Sequence, residues 1–413
     1  MKKYFCIVFL LFPLSALSQN TELDAERELF MRQQKEMNDD FKKYRQQSID
    51  DYEQYRKNAI EEYESYKKKA QEEYANYVKS IKEVWGKENF ADDTKKEWVE
   101  YYDNNRSRSI VDFENGKIKV EVALDEAEAN EKQTVDKQLA SAIEQVLTSK
   151  GTTCPYKSEV DISQPLTKKP ILEGLVDLTP YEEKKPQTGK TTPKKSNVAS
   201  TAKEIAKKSP RKVSTVKGED GKKRKVVQVE MSLVKDNLSK SAMVYKDLVA
   251  EFSKKFQIEQ PLIFAIIEQE SAFNPEAKSW VPAYGLMQLV PTSGGRDAYR
   301  YVYKQDEIPT QSYLYNPRNN IELGTAYLRV LTNQFKSVTD ADCRRLCVIA
   351  SYNTGAGNVS KSFIGTTNLT KAFSKINTHD YNSLYNHLTK NLTHQEARNY
   401  VVGVTKKREK YRK

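Results

Sequence analysis

The chain has 413 residues, 30% of them charged, and a formal net charge of +11 at pH 7. That length accommodates two or three domains. Four cysteines, one at position 6, are too few and too scattered for a disulfide-built scaffold, and no stretch reaches the ~20 apolar residues of a membrane-spanning helix. A basic surface suits a polyanionic partner, such as a wall polymer, an anionic membrane surface or nucleic acid, or is simply solvated.

Lys2 and Lys3, the apolar run Tyr4 to Leu14 and the small-residue pattern at Ala16-Leu17-Ser18 form a secretory signal over residues 1–18. Removing it lowers the charge to +9. Cys6 precedes the apolar run instead of standing at the cleavage site, so no lipoprotein cysteine is evident and membrane contact is expected to be peripheral at most.

Residues 22–85 contain only Gly- and Pro-free sequence dense in Glu, Lys, Gln and Tyr, which predicts one long exposed helix. Phe30, Phe41, Tyr52, Tyr63, Tyr74 and Trp85 recur every eleven residues, and Tyr44, Tyr55, Tyr66 and Tyr77 form a second track. Eleven residues close three helical turns at ~3.67 per turn, so the aromatics keep to one face. Such a stripe is a packing seam, for self-association, for an envelope partner or for docking onto the rest of the chain.

Residues 86–239 read as a small α+β domain. Ile110, Val111 and Phe113 lead through Asn115-Gly116 into Ile118, Val120 and Val122, a hairpin signature. Val135, Leu139, Ile143 and Val146 keep helical spacing, and Val227, Val229, Met231 and Leu233 alternate as a strand. Between them, residues 184–217 are rich in Lys, Pro, Ser and Thr and are expected to be a disordered basic insertion, either a tether or an anion-binding arm.

Residues 240–413 carry helical patterns throughout and read as a compact all-α domain. On the helix ending near Glu270, Ile263, Ile266, Ile267 and Glu270 share one stripe while Glu268 points the opposite way. A carboxyl group embedded in an apolar stripe is harder to ionise, as a general acid working near neutral pH requires. A buried Glu neutralised by Arg or Lys gives the same pattern. Asn274-Pro275 then ends the helix near a loop. Gly285-Leu286-Met287-Gln288 follows, in which Gly285 permits close backbone approach and Gln288 offers a donor and an acceptor to a polar substrate. Ser351-Tyr352-Asn353-Thr354-Gly355 closes a further apolar helix; Tyr352 is placed to hydrogen-bond the carboxyl group, and Asn353 and Gly355 also suit a plain helix cap.

In this order, Glu270-Ser271-Ala272-Phe273-Asn274-Pro275, Gly285-Leu286-Met287-Gln288 and Ser351-Tyr352-Asn353-Thr354-Gly355 resemble the soluble lytic transglycosylase domain. Asn320 to Leu328 and Ala397-Arg398-Asn399-Tyr400-Val401 extend the likeness over residues 240–413. Trp85-Gly86, Arg108-Ser109-Ile110, the Asn115-Gly116 turn and the Met231 strand are similar to the N-terminal domain of the membrane-bound lytic murein transglycosylase C family. The resemblance implies a mainly α protein with a lysozyme-like catalytic domain, periplasmic or envelope-located, acting on peptidoglycan glycan strands. It implies Glu270 as the single acid and base, with Ser271, Gly285, Leu286, Met287, Gln288, Tyr352, Asn353 and Tyr400 binding substrate.

In that family the glutamate breaks the bond between N-acetylmuramic acid and N-acetylglucosamine and leaves 1,6-anhydromuramic acid ends. A lysozyme-type hydrolase of the same fold and a non-catalytic wall-binding protein are the competing readings. No cofactor or metal is implied: His379, His387 and His394 lack ligand spacing and read as scattered surface residues. The basic stretch lacks the interleaved aromatics of a nucleic-acid binder.

Overall fold

The structure is a computed structural model and describes residues 20–156, 158–181, 197–279 and 282–412. The expected leader, residues 1–18, and residues 184–196 of the Lys-rich stretch lie outside these. Among the described residues no helix is long and apolar enough to cross a membrane.

One uninterrupted helix, α1 (Asn20–Trp85), opens the chain. Its first part, up to Glu62, forms one unit, and residues from Tyr63 onward form the other. In the second unit the tyrosine repeat is a packing face. Tyr66 and Tyr74 donate their hydroxyls to Asp161 and Asp92, the Tyr77 ring meets Tyr156 at 5.8 Å, and the fully buried Trp85 donates Nε1 to the Asn105 carbonyl at 2.6 Å.

Five strands, β1 (Glu97–Tyr102), β2 (Ser107–Asp112), β3 (Lys117–Leu124), β4 (Arg211–Lys217) and β5 (Lys223–Ser232), form one antiparallel sheet in the order β1-β2-β3-β5-β4. The Asn115-Gly116 turn joins β2 to β3 where Asp112 faces Lys117. Helices α2 (Glu126–Asn130), α3 (Lys132–Thr148) and α4 (Val198–Lys208) accompany the sheet, and Val135, Leu139, Ile143, Val146 and Ile205 are buried in a common core with Trp98, Phe113 and Val229.

The expected disorder of residues 184–217 does not hold for its second half. Ala202, Ile205 and Ala206 bury one face of α4 while its lysines point outward. β4 is an edge strand whose residues 212–215 are all exposed. Its order comes from the backbone ladder to β5, which composition does not report.

The remaining helices are α5 (Asn237–Val244), α6 (Lys246–Phe256), α7 (Gln260–Ser271), α8 (Arg296–Tyr303), α9 (Gln311–Tyr315), α10 (Pro317–Gln334), α11 (Ala341–Thr354), α12 (Ala356–Ile364), α13 (Leu369–Ile376), α14 (Tyr381–Asn391) and α15 (Gln395–Tyr411). They share one apolar core, in which α7 is the most enclosed. Cys343 and Cys347 are free thiols buried there, and Cys154 is free and buried outside it. The histidines are not all scattered on the surface. His387 stacks on Phe363 at 3.9 Å, with His379 5.5 Å from both rings.

Glu276, 3% exposed, accepts the Thr152 N–H at 2.7 Å. Burial, with Asp93 and Glu100 nearby, pushes its carboxyl well above the usual range, and burial likewise pushes Asp93 up to about 8. A raised carboxyl favours the fold in its neutral form. Its contribution is therefore complete below the unfolded value of about 4 and lost as the pH rises through the folded value. Thermal unfolding should show the wild type losing stability between pH 5 and pH 8, and Glu276→Gln, which keeps an acceptor for Thr152, losing less. Equal slopes for the two proteins would refute this account.

Candidate active site

Helix α7 is apolar on nearly every side: Ile263, Ile266 and Ile267 are fully buried, and Glu270 on the same stripe is 6% exposed. Glu268 is buried as well, but its carboxylate meets Lys410 Nζ at 2.8 Å and the Tyr411 hydroxyl on α15. The two glutamates thus separate by destination. Glu268 is a paired structural carboxylate, whereas Glu270 opens into a cleft. Directly after α7, Ala272 and Phe273 take left-handed backbone angles, φ 49° and 66°, unusual for residues other than Gly. Packing holds this reversal, with the Phe273 ring 6.4 Å from that of Tyr245 and 6.5 Å from that of Tyr411.

The loop Gly285-Leu286-Met287-Gln288 lies against this helix end. Gly285 has φ +73°, and a Cβ there would stand 2.5 Å from the Leu314 carbonyl. Asn320, fully buried on α10, accepts the Met287 N–H at 2.8 Å and donates to the Tyr284 and Leu314 carbonyls at 2.8 and 2.7 Å. Gly324, one turn on, gives the Met287 side chain room; a Cβ there would lie 2.3 Å from Met287 Sδ.

Several expected substrate contacts turn out to be scaffold. Ser271 is fully buried and shares its hydroxyl between the Ile267 and Leu286 carbonyls, at 3.0 and 2.9 Å. Leu286 and Met287 are fully buried, and Gly285 serves the turn. Tyr352 donates to the Met287 carbonyl at 2.8 Å, not to Glu270. Gln288 spends both amide hydrogens on the Ala277 and Gly285 carbonyls, at 2.9 and 3.0 Å. Only its Oε1 is left, buried and without a partner. The side chain therefore presents an acceptor and no donor.

The cleft has a volume of about 480 Å³, and Glu270, Gln288, Tyr352 and Asn353 line it. Lys95, Ser279, Val290, Thr354, His394 and Glu396 join them. Sequence patterns carried no signal for Lys95, which precedes β1 and belongs to the sheet-bearing segment. Glu396 was within reach, because it stands one turn before Tyr400 on α15 and shares its face. Tyr400 itself is buried behind the cleft; burial, and then the charge of the Glu270 carboxyl toward which its hydroxyl is directed, holds its phenol well above the usual range.

Burial pushes the Glu270 carboxyl up to about 7, and Lys95 pulls against that rise. Lys95 Nζ lies 4.0 Å from Glu270 Oε2 and 3.6 Å from Glu396 Oε1. Removing a cation beside a carboxyl raises its pKa further. Lys95→Ala should therefore move the alkaline limb of the kcat/KM profile to higher pH, and an unmoved limb would show that Lys95 does not tune the acid.

A more enclosed cavity of about 260 Å³, lined by Tyr63, Tyr77, Tyr156 and Tyr315, shares Ser279 with the cleft. Its acidic groups are committed to protein partners: Asp92 to Tyr74 and Lys278, Asp93 to the Val99 N–H. The group suited to proton transfer stands in the cleft.

Residues 247–374 match the transglycosylase SLT domain, and residues 63–180 match the N-terminal domain of membrane-bound lytic murein transglycosylase C. Membrane-bound lytic murein transglycosylase C of Haemophilus ducreyi is 33% identical over 332 residues, 80% of this chain and 83% of that protein. The protein of that name from Klebsiella pneumoniae is 31% identical over 336 residues, 81% of this chain and 86% of its own length. Among solved structures, the 70 kDa soluble lytic transglycosylase of Escherichia coli is 28% identical with a TM-score of 0.32; the match covers 41% of this chain and 24% of that one.

Proposed function

The chain belongs to the family of membrane-bound lytic murein transglycosylase C, peptidoglycan lytic transglycosylases, and from that premise we propose that Glu270 alone carries both proton transfers. Neutral Glu270 donates its proton to the glycosidic oxygen between N-acetylmuramic acid and N-acetylglucosamine as the C1–O bond breaks. The resulting carboxylate accepts the proton of the muramic acid O6 hydroxyl while O6 bonds to C1. The strand ends in a 1,6-anhydro ring, Glu270 is neutral again, and no water is consumed.

The observation that carries this reading is a buried carboxyl held near pH 7 and open to a cleft. Such a group is part protonated and part ionised at neutral pH, as one residue serving as acid and then base requires. Gln288 Oε1, buried at the cleft wall without a partner, would accept an N–H from an acetamido group once uncovered. Tyr352 and Asn353 line the sugar path, and Tyr400 faces the carboxylate from behind. The substrate is the glycan strand of peptidoglycan, met in the envelope after export.

Glu396 supports a second reading. It is a carboxylate in the same cleft, its side chain 73% exposed, and together with Glu270 it offers the two carboxyl groups that most glycosidases use with water. Mass spectrometry of muropeptides released from purified sacculi decides between them. The proposal expects anhydromuramyl ends, and Glu396→Gln should leave their yield largely intact. Reducing ends alone, lost in Glu396→Gln, would establish the hydrolase instead.

A further inference from the structure

The aromatic stripe of α1 has a third track. Met37, Ser48, Ala59, Ala70 and Ile81 also recur every eleven residues, so the stripe advances in steps of three, four and four, as in Phe41, Tyr44, Ser48 and Tyr52. From Tyr63 onward this is the covered face of the helix: Ala70, Ile81 and Trp85 are buried, and Tyr66, Tyr74 and Tyr77 are half-buried. Upstream, Phe30, Met37, Phe41 and Tyr44 of the same face stand in solvent, 59%, 68%, 63% and 72% exposed. A lone helix gains most of its stability from packing an apolar face, and this stretch has none to pack against within its own unit.

The borders of the stripe identify the partner. Asp40, Asp51 and Glu62 each stand one residue before an aromatic of the first track, and Arg45 and Arg56 each stand one residue after a tyrosine of the second. At eleven residues per three turns these positions flank the stripe on opposite sides, one border acidic and the other basic. Charges elsewhere on the stretch pair along the helix, Arg32 with Glu36, Lys42 with Asp39 and Lys57 with Glu61. Asp40, Arg45 and Asp51 take part in no ion pair among the described residues.

Two copies laid parallel and in register bring the acidic border of each against the basic border of the other, Asp40 opposite Arg45 and Asp51 opposite Arg56. An antiparallel pair sets acid against acid and base against base. We propose that residues 20–62 of α1 pair in parallel and in register with the same stretch of a second copy, making the protein a homodimer through a right-handed or straight two-helix seam.

Sedimentation equilibrium of the purified chain should give twice the chain mass at tens of micromolar. Met37→Cys should cross-link spontaneously on oxidation, since parallel pairing in register sets the two Met37 positions face to face and the native thiols of the described chain are buried. Arg45→Glu with Arg56→Glu should weaken the dimer about tenfold or more, and adding Asp40→Lys with Asp51→Lys should restore it, because the borders are then merely exchanged. The proposal is overturned by a monomer at these concentrations. It is equally overturned by a dimer in which Met37→Cys does not cross-link, or by one indifferent to the charge reversal.

Discussion

Glu270→Gln is expected to lower the release of glycan fragments from purified sacculi by about 10³-fold, within the range for losing a positioned general acid and base. Gln keeps the shape of the neutral carboxyl but neither gives up nor takes a proton. Glu270 is half neutral near pH 7, so the cleft already tolerates an uncharged group, and sedimentation of the variant with sacculi should match the wild type. The wild-type kcat/KM should fall as the pH rises through about 7, because the first step needs the protonated form. Linkage adds a second readout. The raised carboxyl costs folding stability once ionised, so at pH 8 the inactive variant should unfold at a higher temperature than the active enzyme. A variant that keeps substantial activity would remove Glu270 from the mechanism.

Asn320→Ala should be the most damaging single change away from the cleft. Its one side chain satisfies three backbone groups at 2.7–2.8 Å in a fully buried position, tying together the loop before Gln288 and the end of α9. Each group left unsatisfied costs about 1–3 kcal/mol, and partial relaxation brings the sum to about 3–5 kcal/mol. Denaturant unfolding measures this directly. Activity should fall as well, since Met287 and Gln288 lose their anchor. Arg318→Ala, two residues away, makes a sharp contrast. Its ion pair with Glu251 is exposed on both sides, and its loss should cost about 0–1 kcal/mol. Comparable losses for the two would mean that the Asn320 bonds do not hold the loop.

The apolar stripe leading to Glu270 was legible in the sequence because helical periodicity reports burial, and a carboxyl on that face stands out. The hairpin, α3 and β5 were legible for the same reason, their periods being local. The roles within the motifs were not. Ser271 follows Glu270 in the chain and Leu286, Met287 and Tyr352 belong to the later motifs, but their polar atoms are used up inside the scaffold, and only three-dimensional partners reveal this. Gln288 was half legible: its amide reads as two-sided until the Ala277 and Gly285 carbonyls claim the donor side. The ordered half of the Lys-rich stretch failed for the opposite reason, because an exposed edge strand needs no apolar pattern once a neighbour supplies the ladder.

Lys95 gives the acid strength of Glu270 an unexpected owner. The carboxyl belongs to a helix of the all-α domain, while the cation that opposes its rise comes from the segment leading into the sheet. Proton affinity at Glu270 is therefore a joint property of two folds, set by how well they are seated on each other. With Glu270 kept buried, withdrawal of the Lys95 ammonium leaves a weaker acid, and the working range drifts alkaline. A change far from any sugar that drew this ammonium away, with Glu270 still buried, would retune the enzyme in the same direction.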